Sequence, residues 1–202
     1  MKKIISIFLS FIIISASSLY SVGATTAQQK DEFWENADFL AEKGIIKVSD
    51  KREGYRLHDN VTRGEMAKIV FGLFNTFNSD NIYFRCDESF FKDVTKDGGF
   101  CDYITPLVEK NVFKKADNFR IKDKLTRAEM VLILARALYI QPKLDYQTSF
   151  KDIDKNADYY GYLNAFVEKW WIKDSASFRP SANITRGEIF TVIARTLSGK
   201  GD

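Results

Sequence analysis

Histidine is almost missing from this chain: His58 is the only one in 202 residues. A metal site or a histidine-based catalytic triad needs partners that the sequence does not supply, and His58 reads as a solvated loop residue. Strong net charge is missing too, at +3 overall. No apolar run after the first two dozen residues is long enough to span a membrane, which takes about 20 residues. The stretch Asp93-Val94-Thr95-Lys96-Asp97-Gly98-Gly99 hints at a calcium loop but lacks the closing glutamate, so it reads as a turn. Acids are plentiful, yet nothing singles out a pair with the fixed separation that glycoside cleavage needs. The sequence therefore points to no catalytic residue, no metal and no cofactor.

The exception to the missing apolar runs is the start. Lys2 and Lys3 precede a mostly apolar Ile4–Ile14, and Val22-Gly23-Ala24 ends in small residues. Residues 1–24 are expected to be a secretory signal peptide. The alternative is an uncleaved anchor, for which the apolar run is short. No cysteine follows that run, so a lipoprotein anchor is not expected. Cleavage after Ala24 removes two lysines and no acid, leaving +1. A nearly neutral chain is a poor partner for nucleic acid, which favours strongly basic surfaces. Export would let Cys86 and Cys101 pair in a disulfide worth about 3 kcal/mol for a loop of this size. Two free thiols in a local turn are the alternative. With 45% hydrophobic and 14% aromatic residues, the rest can fold around a good core.

What the chain has in quantity is self-similarity. Val61-Thr62-Arg63-Gly64-Glu65, Leu125-Thr126-Arg127-Ala128-Glu129 and Ile184-Thr185-Arg186-Gly187-Glu188 each stand before an apolar run. Phe91-Lys92-Asp93 recurs as Phe150-Lys151-Asp152, and Ala41-Glu42-Lys43 as Val108-Glu109-Lys110 and Val167-Glu168-Lys169. Tyr55-Arg56, Phe119-Arg120 and Phe178-Arg179 each lie seven residues before their threonine. These matches define three repeats, about 31–77, 88–141 and 148–199, within segments 25–87, 88–147 and 148–199, with 200–202 as a tail. Each repeat is expected to be helix-loop-helix. The first helix carries Tyr159, Tyr162, Leu163, Phe166 and Val167 at helical spacing in repeat 3. It ends near Gly44, Asn111 or Trp170 in the three copies. The second helix starts at the threonine motif. It is so apolar, as in Met130–Ala135, that one repeat would bury it poorly and three packed together would bury it well.

Threonine followed three residues later by glutamate is a capping box, which accounts for Thr62/Glu65, Thr126/Glu129 and Thr185/Glu188. The arginine between them has no such reason. At the first helical position a cation opposes the helix macrodipole, and an acid or proline would serve a cap better. Two explanations stand level on physical grounds. Arg63, Arg127 and Arg186 could pair with acids of a neighbouring repeat. They could instead join the helix-terminal amides in a pocket for a carboxylate or phosphate.

The order Phe-x-Asp, a helix ending Glu-Lys, Phe-Arg-Pro, then Ile-Thr-Arg-small-Glu and an apolar helix resembles the S-layer homology domain. Repeat 3 carries it as Phe150-Lys151-Asp152, Glu168-Lys169, Phe178-Arg179-Pro180 and Ile184–Glu188. The resemblance covers essentially the whole chain after residue 24, in the usual three copies. It implies a mainly α fold, a pseudo-threefold bundle with inter-repeat grooves, and no catalysis. It implies a partner, secondary cell-wall polysaccharide, often bearing a ketal-pyruvate group on an amino sugar. It also implies a secreted, wall-associated location. It gives Arg63, Arg127 and Arg186 the binding role, with Asp93 and Asp152 beside them, and tips the balance toward an anion site. Trp170 is a candidate for stacking on a sugar ring, or one of Trp170 and Trp171 fills the core. Repeat 1 departs from the pattern, having only Asp31-Glu32-Phe33-Trp34 in place of Phe-x-Asp. Val48, Lys115 and Asp174 stand where a second loop glycine is usual. At least one groove is therefore expected to be inactive or differently selective. No cargo domain is expected after Asp202. A protein-interaction or assembly unit, with bridging arginines, is the second reading, and a wall hydrolase a distant third.

Overall fold

The computed structural model describes residues 32–47, 52–77 and 85–199. The expected signal peptide, residues 25–31, Val48 and the 200–202 tail lie outside the described residues. The described chain is mainly helical, as expected, and among these residues no strand forms. Each repeat contributes two α-helices. They are α1 (32–42) and α2 (Arg63–Phe77), α3 (Cys101–Glu109) and α4 (Arg127–Ala137), and α5 (Tyr160–Glu168) and α6 (Arg186–Ser198). A 3-10 turn, Arg52–Tyr55, leads toward α2.

The three first helices end alike. Ile45 N–H donates to the Leu40 carbonyl, Val112 N–H to Leu107 and Trp171 N–H to Phe166, at 2.8–2.9 Å. These six-to-one bonds require a left-handed residue just before them. Gly44, Asn111 and Trp170 fill that place, with φ of 72°, 59° and 60°. Glycine takes it without strain, asparagine at little cost, and tryptophan at about 1 kcal/mol.

Second helices begin with the expected capping boxes. Thr126 Oγ1 accepts from Glu129 N–H and Glu129 accepts from Thr126 N–H, and the Thr185/Glu188 and Thr62/Glu65 pairs repeat this. These helices do not bury their apolar faces within their own repeat. α2 packs on α3 of the next repeat, and α4 on α5. α6 turns back to α1, where Asn36 Nδ2 donates to Thr191 Oγ1 at 3.0 Å and Arg195 pairs with Glu32 at 2.9 Å. Each repeat thus covers the second helix of its predecessor. Met66, Leu73, Ile104, Leu107, Met130, Leu134, Phe166 and Phe190 are fully buried as a result.

The residue before each cap threonine closes the order. Val61 N–H donates to Ile184 O at 3.0 Å, Ile184 N–H to Leu125 O at 3.0 Å, and Leu125 N–H to Val61 O at 2.8 Å. All three residues are buried, so these groups have no water to turn to and the ring satisfies them. Cys86 and Cys101 are joined in a disulfide. It fastens the chain just ahead of repeat 2 to the first turn of α3, beside the bond from Cys86 N–H to Asp102 Oδ1 at 2.7 Å. Replacing both cysteines by serine is expected to lower unfolding free energy by about 3 kcal/mol in urea denaturation, the loop-entropy value for such a closure.

Candidate functional site

The three motif arginines reach across repeat boundaries. Arg63 Nε donates to Phe119 O at 2.8 Å, Arg127 Nε to Phe178 O at 2.7 Å, and Arg186 Nε to Tyr55 O at 2.7 Å. Each guanidinium lies about 5 Å over an aromatic ring: Phe119, Phe178 and Phe190 respectively. Each also faces the motif glutamate of the repeat it touches. Arg63 Nη1 bonds Glu129 at 3.3 Å and Arg127 Nη1 bonds Glu188 at 2.7 Å. Arg186 Nη1 stands 3.6 Å from Glu65, an ion pair without a hydrogen bond. The glutamates therefore serve twice, as caps and as counter-ions. The side chains of the arginines are only 15–16% exposed. Burial lowers the pKa of each below the usual arginine range, while Glu129, Glu188 and Glu65 respectively pull it back up.

Inter-repeat pairing, one of the two explanations open at the sequence level, is thus present at all three arginines. The helix-terminal amides that the other explanation needs are occupied. Arg63, Arg127 and Arg186 N–H donate to Asp123, Ala182 and Asp59 carbonyls at 2.9–3.0 Å. Gly64, Ala128 and Gly187 N–H donate to Ile121, Pro180 and Leu57 at 2.8–3.0 Å. This close approach explains the small residue of the motif. A Cβ on Gly187 would come within 2.4 Å of the Phe33 ring.

A second arginine per repeat belongs to these clusters. Arg56, Arg120 and Arg179 all adopt left-handed φ, of 49°, 63° and 57°. Arg56 bonds Glu65 directly, and Arg179 stands 3.7 Å from Glu188, whereas Arg120 pairs with Asp123. Burial acts to raise the Glu65 pKa, but the Thr62 amide, Arg186 and Arg56 outweigh it and hold it below the usual carboxylate value. Sequence reasoning treated these arginines only as repeat markers. Their fixed place before every cap threonine was the signal for more.

Asp93 and Asp152 clamp this same turn. Asp93 accepts from Phe119 and Arg120 N–H at 2.7 Å each, and Asp152 from Phe178 and Arg179 N–H at 2.8 Å each. Ser177 Oγ adds a 2.6 Å bond to Asp152. The Ser177 hydroxyl and then the Phe178 amide draw the Asp152 pKa down to about 2. Trp170 is 62% exposed, and Trp171 packs edge-on against Phe166 at 5.2 Å.

One cleft, of about 820 Å³, opens beside the Arg186 cluster. Arg186, Arg56, Glu65 and Lys68 line it with Tyr103 and Phe71. Those two rings meet edge to face at 5.3 Å. Lys68 Nζ lies 5.2 Å from the Tyr103 centroid and 4.3 Å from that of Phe100. Neither Trp170, Arg63 nor Arg127 lines this cleft. It offers a cationic wall and an aromatic wall together.

Two outcomes test this geometry. Arg127→Ala removes the closest cation of Glu188 and the side-chain donor to the Phe178 carbonyl, and should cost about 3 kcal/mol in thermal or urea unfolding. Ser177→Ala should raise the Asp152 pKa from about 2 toward its unfolded value of 3.8, followed by NMR titration. Asp152 is more acidic folded than unfolded, so its stabilisation is complete above pH 3.8 and fades as pH falls through 2. Ser177→Ala should narrow that window.

No curated protein matches the chain. Residues 90–131 and 149–190, which hold the aspartate clamps, the paired arginines and the capping boxes of repeats 2 and 3, each match the S-layer homology domain.

Proposed function

We propose that this chain is a non-catalytic module that anchors at the cell wall by binding acidic secondary cell-wall polysaccharide. S-layer homology domains are generally wall-anchoring modules that bind secondary cell-wall polymer, and the family is non-catalytic. Residues 25–87 form a third copy in this reading. Supporting it are the third Thr-Arg-Gly-Glu motif and the cyclic order of hydrogen bonds, which suits a monomeric pseudo-threefold bundle. The ligand group is a sugar carboxylate such as ketal pyruvate. The chain works outside the cell after loss of residues 1–24.

The observation that carries this reading is the cleft at Arg186, where guanidinium and ammonium groups face an aromatic wall. A carboxylate suits the planar arginine fork, and aromatic rings such as Tyr103 and Phe71 suit the CH groups of a pyranose through their negative faces. Lysine adds charge without demanding geometry. Asp93 and Asp152 support the turn that carries the second arginine.

The second reading, an assembly unit of the envelope, is favoured by one observation. Arg63 and Arg127 spend their Nε and Nη1 hydrogens inside the molecule.

The deciding measurement is sedimentation of residues 25–202 with purified wall sacculi, before and after mild acid strips ketal pyruvate. Binding lost with the pyruvate is expected. Binding that survives the acid would move the contact off the sugar acid. No binding in either sample would favour the assembly unit.

A further inference from the structure

The three arginine clusters look alike in sequence and differ in what surrounds them. Around Arg63 the acids are Glu129, Asp123 and Asp93, against Arg120 as the one further cation. Around Arg127 they are Glu188 and Asp152, against Arg179. Both clusters are therefore neutral or acidic, and both arginines hydrogen-bond their glutamate. On the same reckoning the Arg186 cluster is neutral, with Glu65 and Asp59 against Arg56, and it differs instead in its bonds and in what lines the space beside it. In sequence, repeat 1 lacks the Phe-x-Asp of the other two copies. Glu65 is drawn to Arg56, and both terminal nitrogens of Arg186 are left without a hydrogen bond among the described residues. Lys43, Lys47 and Lys68 line the same cleft, so five cations stand against Glu65 and Asp59.

Two substitutions within the repeat open this cleft. Ten residues after the cap, repeats 2 and 3 place Arg136 and Arg195. Arg136 reaches back to Val112 O at 3.4 Å and Arg195 to Glu32 at 2.9 Å. Repeat 1 places Gly72 there, on the cleft wall, and a Cβ would lie 2.3 Å from Ile45 O. Glycine lets the chain after α1 press against α2 and puts no side chain into the space beside it. Six residues after the cap stands Lys68, exposed, where the other copies have Leu132 and Thr191.

We propose that the clusters divide their labour. The cleft at the junction of repeats 3 and 1 alone takes an external carboxylate, held by Arg186 with Arg56 and Lys68. Arg63 and Arg127 are neutralised internally and serve as repeat-to-repeat bridges. The excess of cations fits a glycan stretch carrying more than one negative charge. This rests on the wall-polysaccharide reading above.

The test uses the chain and its single variants Lys68→Gln, Arg186→Gln, Arg63→Gln and Arg127→Gln. Calorimetry would use as probe the methyl glycoside of an amino sugar bearing a 4,6-ketal pyruvate. Sacculus sedimentation would run in parallel, at a temperature where circular dichroism shows each variant folded. Lys68→Gln and Arg186→Gln are expected to weaken probe binding about tenfold, as loss of one charge-assisted contact does. Arg63→Gln and Arg127→Gln should leave the dissociation constant unchanged and lower the melting temperature. If Arg186→Gln does not fold, Lys68→Gln decides, since Lys68 is exposed and makes no hydrogen bond between repeats among the described residues. Equal weakening by all three arginine variants, or full affinity in Lys68→Gln, overturns the proposal. A chain that sediments with sacculi but ignores the probe overturns it and leaves the wall reading standing. A chain that sediments with neither native nor acid-treated sacculi overturns both.

Discussion

Three backbone hydrogen bonds, Val61 to Ile184, Ile184 to Leu125 and Leu125 to Val61, close the chain upon itself. Everything else is arranged around that closure. Three successive copies of one helical pair could in principle stack into an open row. Here the third copy returns to the first, because α6 needs α1 as cover just as α2 needs α3 and α4 needs α5. A buried amide without an acceptor costs more than a hydrogen bond contributes, so the ring fixes the order in which repeats meet as firmly as the apolar surfaces do. The core then follows from apolar burial of the second helices at about 25 cal/mol per Å².

The motif arginine fits this closure. A cation on the first turn of a helix works against the macrodipole by a few tenths of a kcal/mol or more. The carbonyl of the next repeat, an aromatic face and the capping glutamate together outweigh that penalty. The glutamate is held in place by its cap bond to the threonine amide, so the counter-ion is already positioned. One five-residue motif thereby starts a helix, caps it and ties it to a neighbour. The same economy limits the motif as a ligand site. Once Nε, Nη1 and the first helix amides are spent internally, a cluster has little left to offer an anion. Only where one of those partners is missing can the guanidinium face outward.

Repeat 1 is where the partners go missing. It lacks the Phe-x-Asp sequence of the other copies, diverts Glu65 to Arg56, and replaces a space-filling arginine with Gly72. Departure from the repeat pattern is thus the informative feature, since the regular positions are committed to holding the molecule together. Trp170 makes the converse point. It occupies a left-handed helix end that glycine fills in repeat 1, and its exposure leaves it apart from the cleft's aromatic wall.

Much of this was legible in the amino-acid order because it is local. Capping boxes need residues three apart, helix ends need a left-handed residue at a set place, and a loop of fifteen residues can bring two cysteines together. Three copies of these signals were enough to read the repeats, the helices and the resemblance to S-layer homology domains. The acceptors of the arginines were not legible. Phe119, Phe178 and Tyr55 lie 51 to 131 residues from the arginines that bond their carbonyls, and a carbonyl has no signature in a sequence. Nor could the sequence tell the three arginines apart, since all sit in the same motif. Only the tertiary structure decided that Arg186 lines an open cationic cleft to which Arg63 and Arg127 do not contribute. That difference comes from Gly72 and Lys68, whose effects converge on Arg186 only after the chain has closed its ring.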